Sequence, residues 1–307
     1  MILVTGAAGF IGSVQVWKLN RLGYDKIVVC DQFRDGEKWR NLRDLRFEDA
    51  VLPEDLFEWL GRHGREVEAV IHLGACSATT ETNMDFLWEN NVVFTRRLWD
   101  HSVANGNTFL YASSAATYGG GECGYLDDEK KIHSLKPLNK YGYSKHWFDL
   151  WALRQKRKPK HWYGLKFFNV FGPNEYHKGH MASVVYHNYQ QYLKEGKVRL
   201  FKSHREGIAD GEQKRDFVYV KDVVRMNHFL QQGKAPSGIY NIASGKARSY
   251  KDFALALFAA LKVEPKIEFV ETPAAIREKY QYFTEGDLSK LRAAGYIESS
   301  TSLEEAV

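Results

Sequence analysis

The run Tyr141-Gly142-Tyr143-Ser144-Lys145 sets a phenol and an ammonium four residues apart, one turn from each other on a single helix face. A phenol with a pKa of about 10 is a poor base at neutral pH. A nearby cation favours the phenolate and brings that proton within reach of general acid–base work. Such a pair suits proton transfer at a sugar or alcohol hydroxyl while a nicotinamide exchanges a hydride. The same spacing also describes an aromatic packed beneath a snorkelling lysine, so its meaning rests on its surroundings.

Those surroundings begin at the first residue. Met1-Ile2-Leu3-Val4-Thr5 is a short apolar run, followed by Gly6-Ala7-Ala8-Gly9-Phe10-Ile11-Gly12 and a second apolar run, Lys26-Ile27-Val28-Val29-Cys30-Asp31. A buried strand, a glycine-rich turn, a helix and a second strand make a dinucleotide-binding unit, with the pyrophosphate at the helix N-terminus. Gly6 permits the turn, Gly9 lets backbone approach the pyrophosphate, and Gly12 lets helix and sheet pack closely. Asp31 follows at the distance where a carboxylate accepts from a ribose 2′-hydroxyl, which favours NAD. Arg34, Lys38 and Arg40 come directly after it and offer charge for a 2′-phosphate, or form a solvated basic loop. Charge alone leaves NADP and NAD open.

Further apolar runs, residues 69–75 and 108–114, repeat the rhythm of a parallel sheet and end in small residues and hydroxyls at its carboxyl edge, where ligands bind. His72 inside such a run reads as a satisfied core residue rather than a base. The expected fold is α/β: a doubly wound parallel-sheet Rossmann domain, residues 1–169 and 216–242, with a smaller α/β substrate-binding lobe, residues 170–215 and 243–307.

Taken together, Gly6-x-x-Gly9-x-x-Gly12, Asp31, His72-Leu73-Gly74-Ala75, Asn90, Ser114 and Tyr141-x-x-x-Lys145 resemble the extended short-chain dehydrogenase/reductases. Later matches are Asn169-Val170-Phe171-Gly172-Pro173, Arg215-Asp216-Phe217 and Asn241-Ile242-Ala243-Ser244-Gly245. The resemblance spans nearly the whole chain. It implies a catalytic set in which Ser114 holds the substrate hydroxyl, Tyr141 shuttles the proton, and Lys145 binds the nicotinamide ribose and depresses the tyrosine pKa. Within that family, residues 74–81, 111–120, 175–183, 280–284 and 291–296 resemble the sugar-nucleotide epimerases that invert C6 of an ADP-heptose for the lipopolysaccharide inner core.

Inversion through a ketone exposes the two faces of one carbon in turn, so a second acid–base group is useful for the second presentation. The resemblance assigns that role to Lys178; by residue type alone, a lysine beside glycine in a loop is a solvated charge or a diphosphate clamp. Dehydratases of the family carry Asp and Glu directly after the catalytic Ser/Thr. Ala115 and Ala116 stand there instead and exchange no protons, which argues against dehydration.

As cofactor contacts the resemblance implies Gly6, Gly9, Phe10, Ile11, Gly12, Asp31, Gln32, Lys38, Leu73, Gly74, Ala75, Cys76, Ser77, Asn90, Lys145, Val170 and Lys178, with NADP as cofactor and NAD possible. As substrate contacts it implies Ser114, Asn169, His180, His187, Phe201, Lys202, Ser203, His204, Arg215 and Tyr280. Arg215 suits a bidentate diphosphate clamp, or else an ion pair with Asp216. The chain departs from the pattern at His180, where Ser is usual, and at Pro53, where a cofactor-contacting lysine is common. Its 203–213 segment is longer and reads as a surface loop near the active-site mouth. The C-terminus stops where a last amphipathic helix is expected.

The chain has 307 residues and a net charge of +5, suited to an anionic nucleotide sugar without requiring nucleic acid. Cys30, Cys76 and Cys123 form no C-x-x-C motif and point to a reducing, cytoplasmic setting. No apolar run is long enough to span a membrane, and the start on a strand reads as the absence of a signal peptide. His177, His180 and His187 share a stretch, but no metal-ligand set assembles around them. The resemblance implies a homo-oligomer, pentameric in the family. The rivals are another sugar-nucleotide 4-epimerase or ketone reductase, and a non-catalytic NADP(H)-sensing protein. The intact Ser114, Tyr141 and Lys145 set disfavours the sensor, which needs only the glycine loop.

Overall fold

A computed structural model of the chain describes residues 1–277 and 281–307; Tyr280, an expected substrate contact, lies outside the described residues. The strands are β1 (Ile2–Thr5), β2 (Ile27–Cys30), β3 (Asp49–Val51), β4 (Ala69–His72), β5 (Thr108–Ser114), β6 (His161–Phe167), β7 (Asn169–Phe171), β8 (Val198–Phe201), β9 (Lys214–Tyr219), β10 (Gly238–Ile242), β11 (Ala247–Ser249) and β12 (Ile267–Val270). The helices that matter below are α1 (Phe10–Arg21), α2 (Leu56–His63), α3 (Met84–Trp88), α4 (Phe94–Asn105), α5 (Lys140–Arg154), α6 (Val184–Glu195), α7 (Val220–Gln231) and α8 (Tyr250–Leu261).

Seven strands form one sheet in the order β10-β6-β5-β4-β1-β2-β3, and every pairing in it is parallel. Every residue of β1, β2 and β4 is buried, because a parallel sheet is covered by helices on both faces and its strands must be apolar throughout. The strand order reverses between β1 and β4, and ligands of doubly wound sheets bind in the crevice at that switch point. The two loops that flank it press backbone against backbone: a Cβ on Gly6 would lie 2.6 Å from the Gly74 nitrogen.

The second lobe is built from small sheets. β9 pairs parallel with β7 and antiparallel with β11, while β12 pairs with β8. Its core is Phe171, Phe217, Phe253, Ala256 and Leu303, beside a second cluster of Val198, Leu200, Ala254, Leu257 and Phe258. Two segments contribute to both cores. β9 serves both lobes, because successive side chains of a strand face opposite ways: Phe217 joins the small core and Val218 the large one. Leu291 and Tyr296 also belong to the large core, so the 243–307 segment is shared between the lobes.

Asp216 ties this junction together. Its carboxylate is fully buried and accepts from the Ser244 and Gly245 amides, the Ser244 hydroxyl and the Gly286 amide, at 2.7–3.0 Å. With its oxygens engaged by these donors, Asp216 is a backbone anchor rather than the ion-pair partner of Arg215 that the sequence left open. Burial pushes its pKa up, and the same hydrogen bonds oppose the rise.

Candidate active site

Ser114 ends β5, and its hydroxyl accepts from the Ala116 amide at 3.1 Å, capping the short turn Ala115–Tyr118. α5 starts beside that turn. Asn139 caps it, accepting from the Gly142 amide at 2.7 Å. Gly142 permits the approach: a Cβ there would come within 2.8 Å of the Ala116 carbonyl oxygen. A glycine inside a helix costs roughly 1 kcal/mol relative to alanine, and here that cost lets the start of α5, with Tyr141, press against the turn that Ser114 caps.

Tyr141 is 9 % exposed and Lys145, one turn on, 4 %. Their titration follows from that burial. Desolvation raises the Tyr141 phenol, with the Ser114 hydrogen bond opposing it. Desolvation lowers Lys145 to about 8, with the Asp149 charge opposing it. In the protein alone the tyrosine therefore moves opposite to the direction expected from a neighbouring ammonium, because removal from water dominates. His72 is a core residue: its ring bonds the Thr5 hydroxyl at 2.6 Å and the Thr95 hydroxyl at 2.9 Å, and burial holds its pKa down to about 3.

Between α3 and α4 the helix widens into a single π-turn, Glu89–Val93, a feature frequent at functional sites. It brings Asn91, not Asn90, inward. Asn91 accepts from the Cys76 amide at 2.9 Å and donates to the Cys76 carbonyl and the Ser144 hydroxyl, both at 3.0 Å. It thereby fastens the 73–77 loop to α5. Asn90 donates back to the Phe86 carbonyl on its own helix. Sequence reasoning missed Asn91 because the extra residue of a π-turn rotates the inward face away from the regular helical period.

The residues present fit a dinucleotide. Gly9 precedes α1 and no side chain caps that helix, leaving N–H donors at its positive end for an anion. Gly12 has no room for a side chain, since a Cβ would lie 2.0 Å from the Gly6 carbonyl oxygen. Phe10 and Ile11 open α1, and Leu73, Gly74, Ala75 and Ser77 lie on the loop after β4, so both groups flank the switch point. The Gly12→Ala variant is expected to lose about 1–3 kcal/mol from overpacking. Thermal denaturation would show the lower midpoint and a cofactor titration the weakened binding.

Asp31, 8 % exposed, directly follows β2 and accepts from the Ala8 amide at 2.8 Å, its neighbour Gln32's amide at 2.8 Å and the Lys38 ammonium at 2.6 Å. Arg34 donates to Gln32. Asn41 was not foreseen. Its amide lies 3.0 Å from the Ala8 carbonyl, 3.2 Å from the Asn174 carbonyl and 3.3 Å from the His177 ring nitrogen, joining the glycine loop to the segment that carries Lys178.

That segment is the turn Tyr176–Met181. Glu175, 2 % exposed, closes its base by accepting from the Gly172 amide and from both the amide and hydroxyl of Ser183. Asn174 donates to Ser13 on α1 at 2.9 Å. Gly179 turns the chain with φ 53, a conformation side chains resist. So held, the Lys178 ammonium lies 5.4 Å from the centre of the Phe10 ring at the start of α1, and burial lowers its pKa while Glu175 opposes the shift.

The expected substrate contacts are spread more widely. Asn169 and His180 are exposed, Val170 and His187 half-buried, and the His187 ring lies 6.2 Å from that of Tyr186. The segment from Phe201 to His204 leaves β8; Lys202 and His204 both meet Glu271, and the Ser203 amide bonds Asp210. Arg215 is 6 % exposed, donates to the Lys214 carbonyl and lies 5.8 Å over the Tyr250 ring. Residues 281–284 run beside β9 and reach the Ser114 turn, Gln281 donating to the Gly119 carbonyl. Among the described residues no group of three His, Cys, Asp or Glu is placed to hold a metal ion, and no helix is long and apolar enough to cross a membrane.

This geometry has close counterparts. Residues 2–243 match the NAD dependent epimerase/dehydratase family. The chain belongs to that family. It is 51 % identical to the ADP-L-glycero-D-manno-heptose-6-epimerase of Fusobacterium nucleatum, over 100 % of this chain and 96 % of that one. The protein of the same name from Nitratidesulfovibrio vulgaris is 49 % identical over 100 % and 95 %. Among solved structures, the ADP-L-glycero-D-manno-heptose-6-epimerase of Helicobacter pylori superposes with a TM-score of 0.83 at 28 % identity, covering 99 % of this chain and 93 % of that one. A UDP-glucose 4-epimerase of Thermotoga maritima follows at 0.76 and 27 %, covering 99 % and 95 %.

Proposed function

We propose that this chain interconverts ADP-D-glycero-D-manno-heptose and ADP-L-glycero-D-manno-heptose by oxidising C6 to a ketone and returning the hydrogen to the opposite face. The observations that support the reading are a buried Tyr141–Lys145 pair on α5 beside the Ser114 turn and a largely buried Lys178 on the turn against α1. The near-full-length likeness to proteins of that name supports the choice of substrate.

Ser114 orients the substrate hydroxyl and Tyr141 takes or returns its proton in one presentation of the carbon. Lys178, with its ammonium acidified by burial, handles the proton in the other. Lys145 supplies positive charge beneath Tyr141. The glycine loop, Asp31 and Lys38 would hold the cofactor, which would supply a reversible two-electron oxidation when bound. Ala115 and Ala116 offer no group to expel water, so oxidation is followed by return rather than elimination.

NADP is the proposed cofactor. Lys38 neutralises Asp31 at 2.6 Å while keeping a quarter of its side chain in solvent, which leaves the ammonium available to a 2′-phosphate. Lys38→Ala is expected to weaken NADP binding about tenfold or more, the scale of one charge-assisted hydrogen bond, with NAD binding almost unchanged. Isothermal titration with both dinucleotides distinguishes the two, and equal losses would point to NAD. The activity itself is tested by incubating the purified protein with ADP-D-glycero-β-D-manno-heptose, no cofactor added, and resolving the C6 epimers. A mixture of epimers is expected; no conversion, even with NADP+ supplied, would remove the substrate assignment.

A further inference from the structure

Behind the Ser114 and Lys145 side chains lies a second ionic centre that the chemistry above does not use. Lys166 on β6 and Asp149 on α5 are 1 % and 0 % exposed and meet at 2.8 Å. The Asp149 carboxylate also accepts from the Tyr111 hydroxyl at 3.0 Å and the Ser113 hydroxyl at 2.8 Å, both on β5. The Lys166 ammonium donates to the Thr117 hydroxyl at 2.5 Å and lies 5.0 Å from the centre of the Tyr118 ring. Thr117 in turn donates to the Ser114 carbonyl at 2.7 Å. One connected network therefore runs from β6 through α5 and β5 to the backbone of Ser114.

A buried ion pair is rarely a source of net stability, because desolvation of both charges offsets their attraction. A well-packed apolar pair would serve the core as well. What an apolar pair cannot do is hold an anion at a defined place, and the place here is telling. Tyr141, Lys145 and Asp149 follow one another at intervals of four on α5, so the carboxylate stands one turn beyond Lys145 on the same face.

We propose that Asp149 and Lys166 are positioning residues for the acid–base site: Lys166 fixes the Asp149 carboxylate and the Ser114 turn, and the carboxylate keeps Lys145 in its cationic form. The titratable and charged groups around Lys145 include Tyr141 and Asp149 one turn away on its own helix, with Lys166 of β6 behind Asp149, His72 from β4 and Cys76 from the loop after β4. His72 is neutral, its pKa held near 3. Asp149 is the first of the groups that oppose the effect of burial on Lys145. Without it, burial acts with less opposition and the ammonium is lost at lower pH. The proposal deepens the epimerase reading, but the titration of Lys145 can be followed without substrate or cofactor.

The test is the pH titration of the Lys145 13Cε resonance in lysine-labelled protein, assigned with Lys145→Met. Asp149→Asn is expected to lower the midpoint by about one unit, the scale of one nearby charge. Lys166→Arg should leave it in place. Since Asp149→Asn strands Lys166 as an unpaired buried charge and can unfold the chain, Asp149→Asn/Lys166→Met is the second variant: both charges go together, and a smaller shift in the same downward direction is expected, because the anion stands nearer Lys145 than the cation does. In an epimerase assay the alkaline limb of kcat should move down with the resonance while KM stays within about twofold. An unchanged midpoint in either folded variant overturns the proposal. Absence of epimerase activity in the wild type would instead bear on the substrate assignment, leaving the titration result standing.

Discussion

Tyr141→Phe is expected to lower the rate of epimerisation by roughly 10²- to 10⁴-fold, the contribution of a positioned acid–base group, while the protein stays folded and retains its cofactor. The phenol is buried, and the residue its removal touches, Ser114, is half-buried and keeps the Ala116 amide as donor to its hydroxyl oxygen. The α5 cap and the close Gly142 approach are untouched. The ring still fills its space, so neither a cavity nor a shift of Lys145 follows. The loss should fall on kcat rather than KM, since proton transfer belongs to the transition state. Conversion of the ADP-heptose is measured beside the dinucleotide released on denaturing the purified variant. Activity within a few-fold of wild type, with cofactor bound, would take the proton-transfer role from Tyr141.

Lys178→Met is the companion experiment, with an expected loss of about 10²-fold or more. Methionine keeps much of the stem that packs near Phe10 and deletes only the ammonium. The turn itself should hold, because its base is closed by Glu175 with Gly172 and Ser183, and by Asn174 with Ser13. A loss of cofactor instead of a loss of rate would mark Lys178 as an anion clamp. Full activity in both this variant and Tyr141→Phe would remove the two-group scheme.

Burial gives these groups a pH signature that their residue types do not. Lys178 is acidified by burial, and an amine with a pKa moved toward neutrality exchanges its proton more readily than a solvated lysine. Tyr141 moves up for the same physical reason. The two groups are driven in opposite directions by one cause, because desolvation disfavours the phenolate of one and the ammonium of the other.

Much of this was legible in the chain. The glycine loop could be read because each glycine answers a local need, and Gly12 proved to have no space for a methyl group. The parallel sheet announced itself through apolar runs without alternation, since a sheet covered on both faces leaves no polar side. Tyr141 and Lys145 share a helix face by spacing alone. Less was legible wherever the path along the chain departed from a regular period or where partners came from distant segments. The π-turn at Glu89–Val93 buries Asn91 and lets it fasten the loop after β4 to α5, a role no regular helical period marks. Asn41 reaches Asn174 and His177 across more than 130 positions, and no local pattern marks it.

Local sequence set the strand rhythm, the glycine-rich turn and the shared helix face of Tyr141 and Lys145, because backbone propensity, glycine geometry and helical spacing act over a few residues. Tertiary structure alone decided which charges lose their water. Asp216 became a backbone anchor rather than a partner for Arg215, Lys38 came to neutralise Asp31, and Lys166 met Asp149 inside the protein. Electrostatic strength depends on distance and on the surrounding medium, and both are created only when the separate segments close around one another.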